Sequence, residues 1–156
     1  MNNLIRRAEN KDIRDIMRLL EEVDLVHHLV RPDIFKIGTK YNKYDLSLLI
    51  SDNSRPIFVY DDNGVKGYAF TIFKRHINDP ILTDIKTLYI DDLCVDSNKR
   101  GMNIGSSLIS YVKDFAKKIN CHDVTLNVWE GNDNAKEFYK RMGFVVKEYQ
   151  MEIIID

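Results

Sequence analysis

The 156-residue sequence lacks a disulfide framework, a long apolar run and an excess of charge of either sign. Its two cysteines, Cys94 and Cys121, are too few to staple a small secreted fold, so a reduced, cytoplasmic setting is expected. No stretch approaches eighteen apolar residues, and Met1 is not followed by a basic n-region and an apolar h-region; neither a membrane span nor a secretion signal is expected. Lys and Arg number 23 against 24 Asp and Glu, giving a net charge of −1, and the signs are interspersed. That balance offers no basic stripe to nucleic acid. A Gly-x-x-x-x-Gly-Lys-Ser/Thr loop and a magnesium-ligand cluster are missing, which argues against a phosphotransferase. His27-His28 has no third ligand at a sensible spacing, so no metal is expected. Repeats, low-complexity tracts and linkers are missing too.

What remains is an ordinary globular balance, 44% hydrophobic and 30% charged, over a length suited to one domain spanning residues 1–156. Leu4 to Arg7 fits a first short strand. Asn10 then fits the cap of a helix whose face carries Ile13, Ile16, Met17, Leu20 and Val23. Val26 to Lys43 has no clean period and is expected to be irregular, followed by a second short helix from Tyr44 to Ile50. Ile57–Tyr60 and Val65–Lys74 are β-rich around Asn63-Gly64, a hairpin signal. Leu82 to Val95 fits a long strand. Ile104, Leu108, Ile109, Val112, Phe115, Ala116 and Ile119 share a helix face, Val124, Leu126 and Val128 alternate along a strand that Trp129 ends, and Asp133 to Met142 fits a helix stopped by Gly143. A last β-rich run covers Phe144 to Ile155, and it suits either an inner strand or the seam of a homodimer. This order predicts an α/β (α+β) fold: a mixed, mostly antiparallel central sheet of six to seven strands with helices on both faces.

The most telling stretch is Arg100-Gly101-Met102-Asn103-Ile104-Gly105-Ser106, between the strand ending at Val95 and the helix beginning near Ile104. A strand, a glycine-bearing turn and a helix together aim free backbone N–H groups at one spot, where phosphate can sit. About thirty residues on comes Asn132-Asp133-Asn134-Ala135-Lys136-Glu137-Phe138-Tyr139, running into Gly143-Phe144. Over residues 88 to 146 the chain resembles the GNAT superfamily of N-acetyltransferases. The first stretch is similar to its acyl-CoA pyrophosphate loop and the second to the Asn-x-x-Ala-x-x-x-Tyr…Gly-Phe helix. The loop departs from the pattern at Asn103, where the family has glycine; asparagine is the residue that best replaces it at positive φ.

The resemblance implies a GNAT-like fold, acetyl-CoA as acyl donor and a primary amine as acceptor, a small cationic amine being favoured over a peptide. It implies pyrophosphate contacts from the backbone of 100–106, including Gly101, Met102, Ile104 and Ser106, with Arg100 as a further charge. It also implies pantetheine and acyl contacts along Leu93, Cys94 and Val95, and donor contacts from Asn132, Asn134, Ala135 and Phe138. Tyr139 stands where the family has a tyrosine, and a phenol suits protonation of a departing thiolate. Asn132 and Asn134 fit helix capping equally well. Asp91 and Asp92 are acidic residues in an apolar strand, which is costly unless they face water, a partner or a cation. Period-two alternation puts Tyr89, Asp91, Leu93 and Val95 on one face and Ile90, Asp92 and Cys94 on the other, with Asp91 ranked first as cation anchor or base. Cys94, without a motif partner, is expected to be a small buried hydrophobe rather than a nucleophile. His27, His28, Arg31, Phe35 and Tyr41 are weak candidates for an acceptor pocket. A non-catalytic acyl-CoA sensor is the alternative from another functional class, and it would need neither Tyr139 nor a carboxylate.

Overall fold

The computed structural model describes residues 4–156. Five strands form one sheet in the order β1 (Ile5–Arg7), β2 (Ile57–Asp61), β3 (Val65–Lys74), β4 (Thr87–Val95) and β5 (Asp123–Leu126). The first four are antiparallel neighbours, while β4 and β5 run parallel. Asn63 and Gly64 both hold positive φ (55° and 116°) in the three-residue connection between Asp61 and Val65 that turns β2 into β3.

Helices α1 (Ile13–Val30) and α2 (Lys43–Ile50) cover one face, closing a core of Ile16, Leu19, Leu20, Leu46, Val59, Tyr68 and Phe70. Helix α3 (Ile104–Lys118) covers the other, with Leu108, Ile109, Val112 and Ala116 against Phe58, Ala69, Leu88 and Ile90. The predicted apolar faces are therefore the buried ones. Helix α4 (Asp133–Arg141) adds Phe138 and Tyr139 to the edge of this second core.

Helix α3 sits close to the sheet because β3 carries Gly67. A Cβ there would lie 2.9 Å from Ile104 Cγ2, 3.0 Å from the Cys94 carbonyl oxygen and 3.2 Å from Leu108 Cδ1. Gly67→Val is expected to destabilise the fold by about 3 kcal/mol, the scale of core overpacking. The check is a urea midpoint measured alongside a Gly38→Ala control, since nothing lies within 4 Å of a Cβ at Gly38.

Several expectations need correction. The sheet has five strands among the described residues, not six to seven, because Phe144–Ile155 enters no ladder. Helix α1 runs on to Val30, where its last turn still has helical bonds despite a weak apolar period: the Arg31 N–H donates to the His27 carbonyl at 2.9 Å. Asn10 begins a single 3₁₀ turn (Asn10–Asp12) instead of capping α1. Strand β4 starts at Thr87 rather than Leu82. Strand β5 ends at Leu126 rather than Val128, and Trp129 lies outside both cores.

Candidate active site

Strand β4 is longer than its pairing with β5. Only Thr87–Ile90 lie opposite Asp123–Leu126; beyond them Asp92–Val95 are paired on the β3 side alone and the two parallel strands part company. The orientation of backbone groups in this gap follows from one bond. The Asp96 N–H donates to the Lys66 carbonyl of β3 at 2.8 Å, so alternation turns Cys94 and Asp92 the same way and sends the amides of Val95 and Leu93 into the gap. Cys94 consequently offers the gap neither backbone nor side chain. Its thiol is buried against α1, donates to the Leu19 carbonyl at 3.5 Å and is pushed well above the usual thiol range by burial, which suits a small hydrophobe and not a nucleophile.

A β-bulge alters the chemistry of this strand. Phe70 pairs with Asp92 but Thr71 pairs with Ile90, leaving Asp91 as an extra residue. Leu88 and Ile90 face α3 before the bulge, and Leu93 and Val95 face it afterwards. Simple alternation therefore fails at Asp91, and both carboxylates come to the α1/α2 face instead of opposite ones. The Asp91 carboxylate accepts from Lys40 Nζ and from Tyr41 Oη, each at 2.8 Å. Asp92 accepts from Tyr68 Oη at 3.0 Å and is almost wholly buried; burial pushes its carboxyl up to about 6 despite that hydrogen bond. The two carboxylates therefore differ in their partners: a lysine answers the charge of Asp91, whereas Asp92 has a neutral phenol beside it.

The turn after β4 is held from α1. Arg18 Nη1 meets Asp96 Oδ2 at 3.0 Å, Asp96 accepts from the Asn98 N–H at 3.0 Å, and Glu22 accepts from the Ser97 N–H at 3.2 Å. Gly101 (φ 85°) and Asn103 (φ 60°, ψ 22°) then turn the chain into α3, so asparagine does adopt the left-handed geometry. The Asn103 side chain caps nothing. Its carbonyl instead accepts from the Ser107 N–H at 3.0 Å and from the hydroxyls of Ser106 (3.0 Å) and Ser107 (2.7 Å). The amides of Ile104, Gly105 and Ser106 have no partner within the helix, and its first turn holds no acidic residue. Ile104 is buried in the α3 core, whereas Met102 and Arg100 lie exposed at the turn. Gly105 lets α4 approach: a Cβ would meet the Phe138 ring at 3.1 Å and Val95 at 3.6 Å.

On α4, Asn132 caps the helix, its side chain accepting from the Ala135 N–H at 3.4 Å; Asn134 is exposed and caps nothing. The Tyr139 ring packs edge-on to Phe138 and Phe144, at 5.3 and 5.7 Å between centroids. Burial, followed by the fields of Asp92 and Cys94, raises its phenol well above the usual tyrosine range. Tyr139 therefore keeps its proton and lies within electrostatic reach of the buried carboxylate.

Beyond the gap, His27 stacks on Phe35 (5.2 Å), Phe35 meets Trp129 edge-on (5.3 Å), and the Arg31 guanidinium lies 5.9 Å from the Trp129 ring centre. His28 is occupied elsewhere, its Nδ1 at 2.5 Å from the Phe35 carbonyl oxygen. Beside Asp91 the surface has only a shallow dip, lined by Tyr41, Arg55, Phe70 and Thr71. Sequence reasoning missed Tyr68 and Lys40; the only hint was the unexplained acidic pair in an apolar strand. Among the described residues no group of His, Cys, Asp and Glu is placed to hold a metal, and no helix is long and apolar enough to cross a membrane.

The acetyltransferase (GNAT) family model matches residues 22–144, which include the gap, the turn and α4. The chain belongs to the GNAT acetyltransferase family. It is 23% identical over 150 residues to a thialysine N-epsilon-acetyltransferase of Bos taurus, covering 90% of this chain and 82% of that protein. It is 32% identical over 71 residues to the glucosamine 6-phosphate N-acetyltransferase of Arabidopsis thaliana, 46% of each chain. A shorter match, 44% over 59 residues, joins it to an uncharacterized N-acetyltransferase of Methanocaldococcus jannaschii, of which it spans 26%. The chain thus spans less than half the length of these last two relatives. In solved structures, a tetramutant of the BH1408 protein from Bacillus halodurans superposes with a TM-score of 0.92 at 27% identity, covering 97% and 99% of the two chains. An aminoglycoside acetyltransferase from an uncultured soil sample, in complex with sisomicin, shares the fold alone: TM-score 0.71 at 20% identity, covering 97% and 94%.

Proposed function

We propose that this GNAT domain moves an acetyl group from acetyl-CoA to a primary amine by direct attack in a ternary complex, and that the amine is a small cation. The observation that carries this reading is the parting of β4 from β5, with the unpartnered amides of α3 at one end and with Tyr139 near enough to Asp92 and Cys94 for its phenol to feel them. Acetyl-CoA supplies the acetyl group as a thioester. The residues present fit that donor: the amides of 104–106 and the positive end of α3 suit a pyrophosphate, with exposed Arg100 beside them. The amides of Leu93 and Val95 suit an extended amide-bearing arm and an acyl oxygen. Tyr139, protonated at any working pH, donates to the departing thiolate.

The bulge supports the choice of acceptor. It brings Asp91 and Asp92 to one face, where Lys40 holds Asp91, so a cationic amine would take the place of that ammonium beside the two carboxylates. The thialysine and aminoglycoside relatives carry amine acceptors in their names, consistent with this chemistry. Asp92 takes the proton of the acceptor ammonium, directly or through water.

The test is thiol release from acetyl-CoA across a panel of polyamines, amino acids, aminoglycosides and lysine peptides. Release with a small cationic amine supports the proposal. Donor binding without release from any acceptor would leave a sensor. A pH dependence follows for kcat/KM. Asp92 must be ionised to accept a proton, so activity should rise with pH on a limb centred near 6 and flatten above it. The same raised value acts on stability in the opposite sense. The folded state holds that proton more tightly than the unfolded chain, so the contribution of Asp92 is unfavourable above about pH 6 and is relieved on acidification toward the ordinary carboxyl value. Asp92→Asn should lose the pH 6 limb while unfolding no more easily at pH 7.5.

A further inference from the structure

Residues 97–103, which carry the chain from β4 into α3, bury none of their side chains. A segment without apolar anchors takes its place in a fold from the contacts at its two ends. At the far end Ile104 is fixed in the α3 core. At the near end Asp96 is buried, 6% exposed, and every polar group it has is engaged. Its N–H donates to the Lys66 carbonyl and its carbonyl accepts from the Lys99 N–H, each at 2.8 Å. One carboxylate oxygen accepts from the Asn98 N–H and the other from Arg18 Nη1, each at 3.0 Å.

The side chains that reach this near end from elsewhere in the fold come from α1. Arg18 also donates from Nη2 to the Val65 carbonyl at 3.3 Å, so one guanidinium joins the start of β3 to the end of β4. One helical turn on, Glu22 accepts from the Ser97 N–H at 3.2 Å and from the Ser97 hydroxyl at 3.3 Å. Positions 18 and 22 are i and i+4 neighbours on one stripe of the helix. That stripe is not the apolar one, which buries Ile16, Leu19 and Leu20. Core packing therefore asks for neither the arginine nor the glutamate.

Resting on the donor site proposed above, we propose that Arg18 and Glu22 are positioning residues for the acyl donor: from α1 they set, through Asp96 and Ser97, the turn that leads the first amides of α3 to the diphosphate. A turn left slack has to be ordered when the donor binds, and that cost is read as lost affinity. The bonds of both residues go to the turn and to β3, so the loss belongs in KM and not in kcat. The ion pair also separates positioning from a simple field. Arg18→Met removes a positive charge and Asp96→Asn a negative one. A field acting on the diphosphate moves affinity in opposite directions in the two variants, whereas a slack turn weakens it in both.

The experiment combines steady-state rates with calorimetric titration of CoA for the parent, Arg18→Met, Asp96→Asn, the two together, Arg18→Lys and Glu22→Leu. The KM for acetyl-CoA and the Kd for CoA should rise about tenfold in each member of the ion pair, and by about the same factor in the double variant, because both substitutions break one bond. Glu22→Leu, which disturbs no buried group, should raise both severalfold. In all of them kcat and the KM for the amine should stay within about twofold, and Arg18→Lys should recover most of the donor affinity. Opposite shifts in Arg18→Met and Asp96→Asn would overturn the inference, as would unchanged CoA affinity throughout or a fall in kcat matching the rise in KM. A parent that binds no CoA would remove the donor site itself, and the inference with it.

Discussion

Tyr139→Phe is expected to lower kcat about 10²-fold, the lower end of what a positioned general acid contributes, with the KM for acetyl-CoA changed less than threefold. The ring's packing against Phe138 and Phe144 involves no hydroxyl, so the variant keeps its fold and its donor site. Removing the hydroxyl strips only the proton that burial, Asp92 and Cys94 hold on the phenol. The loss should shrink when the leaving group needs no protonation, for example with an acyl donor of low thiol pKa. Steady-state rates with acetyl-CoA and with such a donor make the measurement. An equal loss with both would assign Tyr139 to packing or positioning.

The second large effect is expected from Ser106→Asp. A carboxylate in the first turn of α3 complements the helix dipole, so the melting temperature should hold or rise slightly. The same charge sits among the amides proposed for the pyrophosphate. Two charges about 4 Å apart at an effective dielectric of about 20 repel by roughly 4 kcal/mol, so affinity for CoA should fall at least 10²-fold. Ser106→Ala separates charge from the loss of the hydroxyl bond to the Asn103 carbonyl, and should stay within a few-fold of the parent. Calorimetry with CoA, paired with thermal unfolding, reads both. Undiminished CoA affinity in the aspartate variant would place the diphosphate elsewhere.

Much of this architecture was legible in the sequence where one physical signal dominated. The faces of α1 and α3 follow from helical spacing, the hairpin from Asn63-Gly64, and the positive φ at residue 103 from asparagine's tolerance of it. The turn and α4 motifs also led to the right family. The placement of Asp91 and Asp92 was not legible. A bulge shifts pairing by one residue through a match between two strands, and period-two reasoning on one strand cannot register it. Tyr68 was hidden for the same reason, since its role as the partner of Asp92 depends on register with β4. The final run, Phe144 to Ile155, has strand composition without a strand partner; propensity describes the segment, but a ladder needs a neighbour.

The parting of β4 from β5 has a consequence for motion. Five residues of β4, Asp91 to Val95, lack pairing on the β5 side, which loosens the sheet at this seam. A ligand whose amides lie along that seam would behave as a surrogate strand, knitting the two halves together. Rigidity near Tyr139, the proposed general acid, would then arrive with the donor, and the amine would meet a firm site only after the thioester is in place.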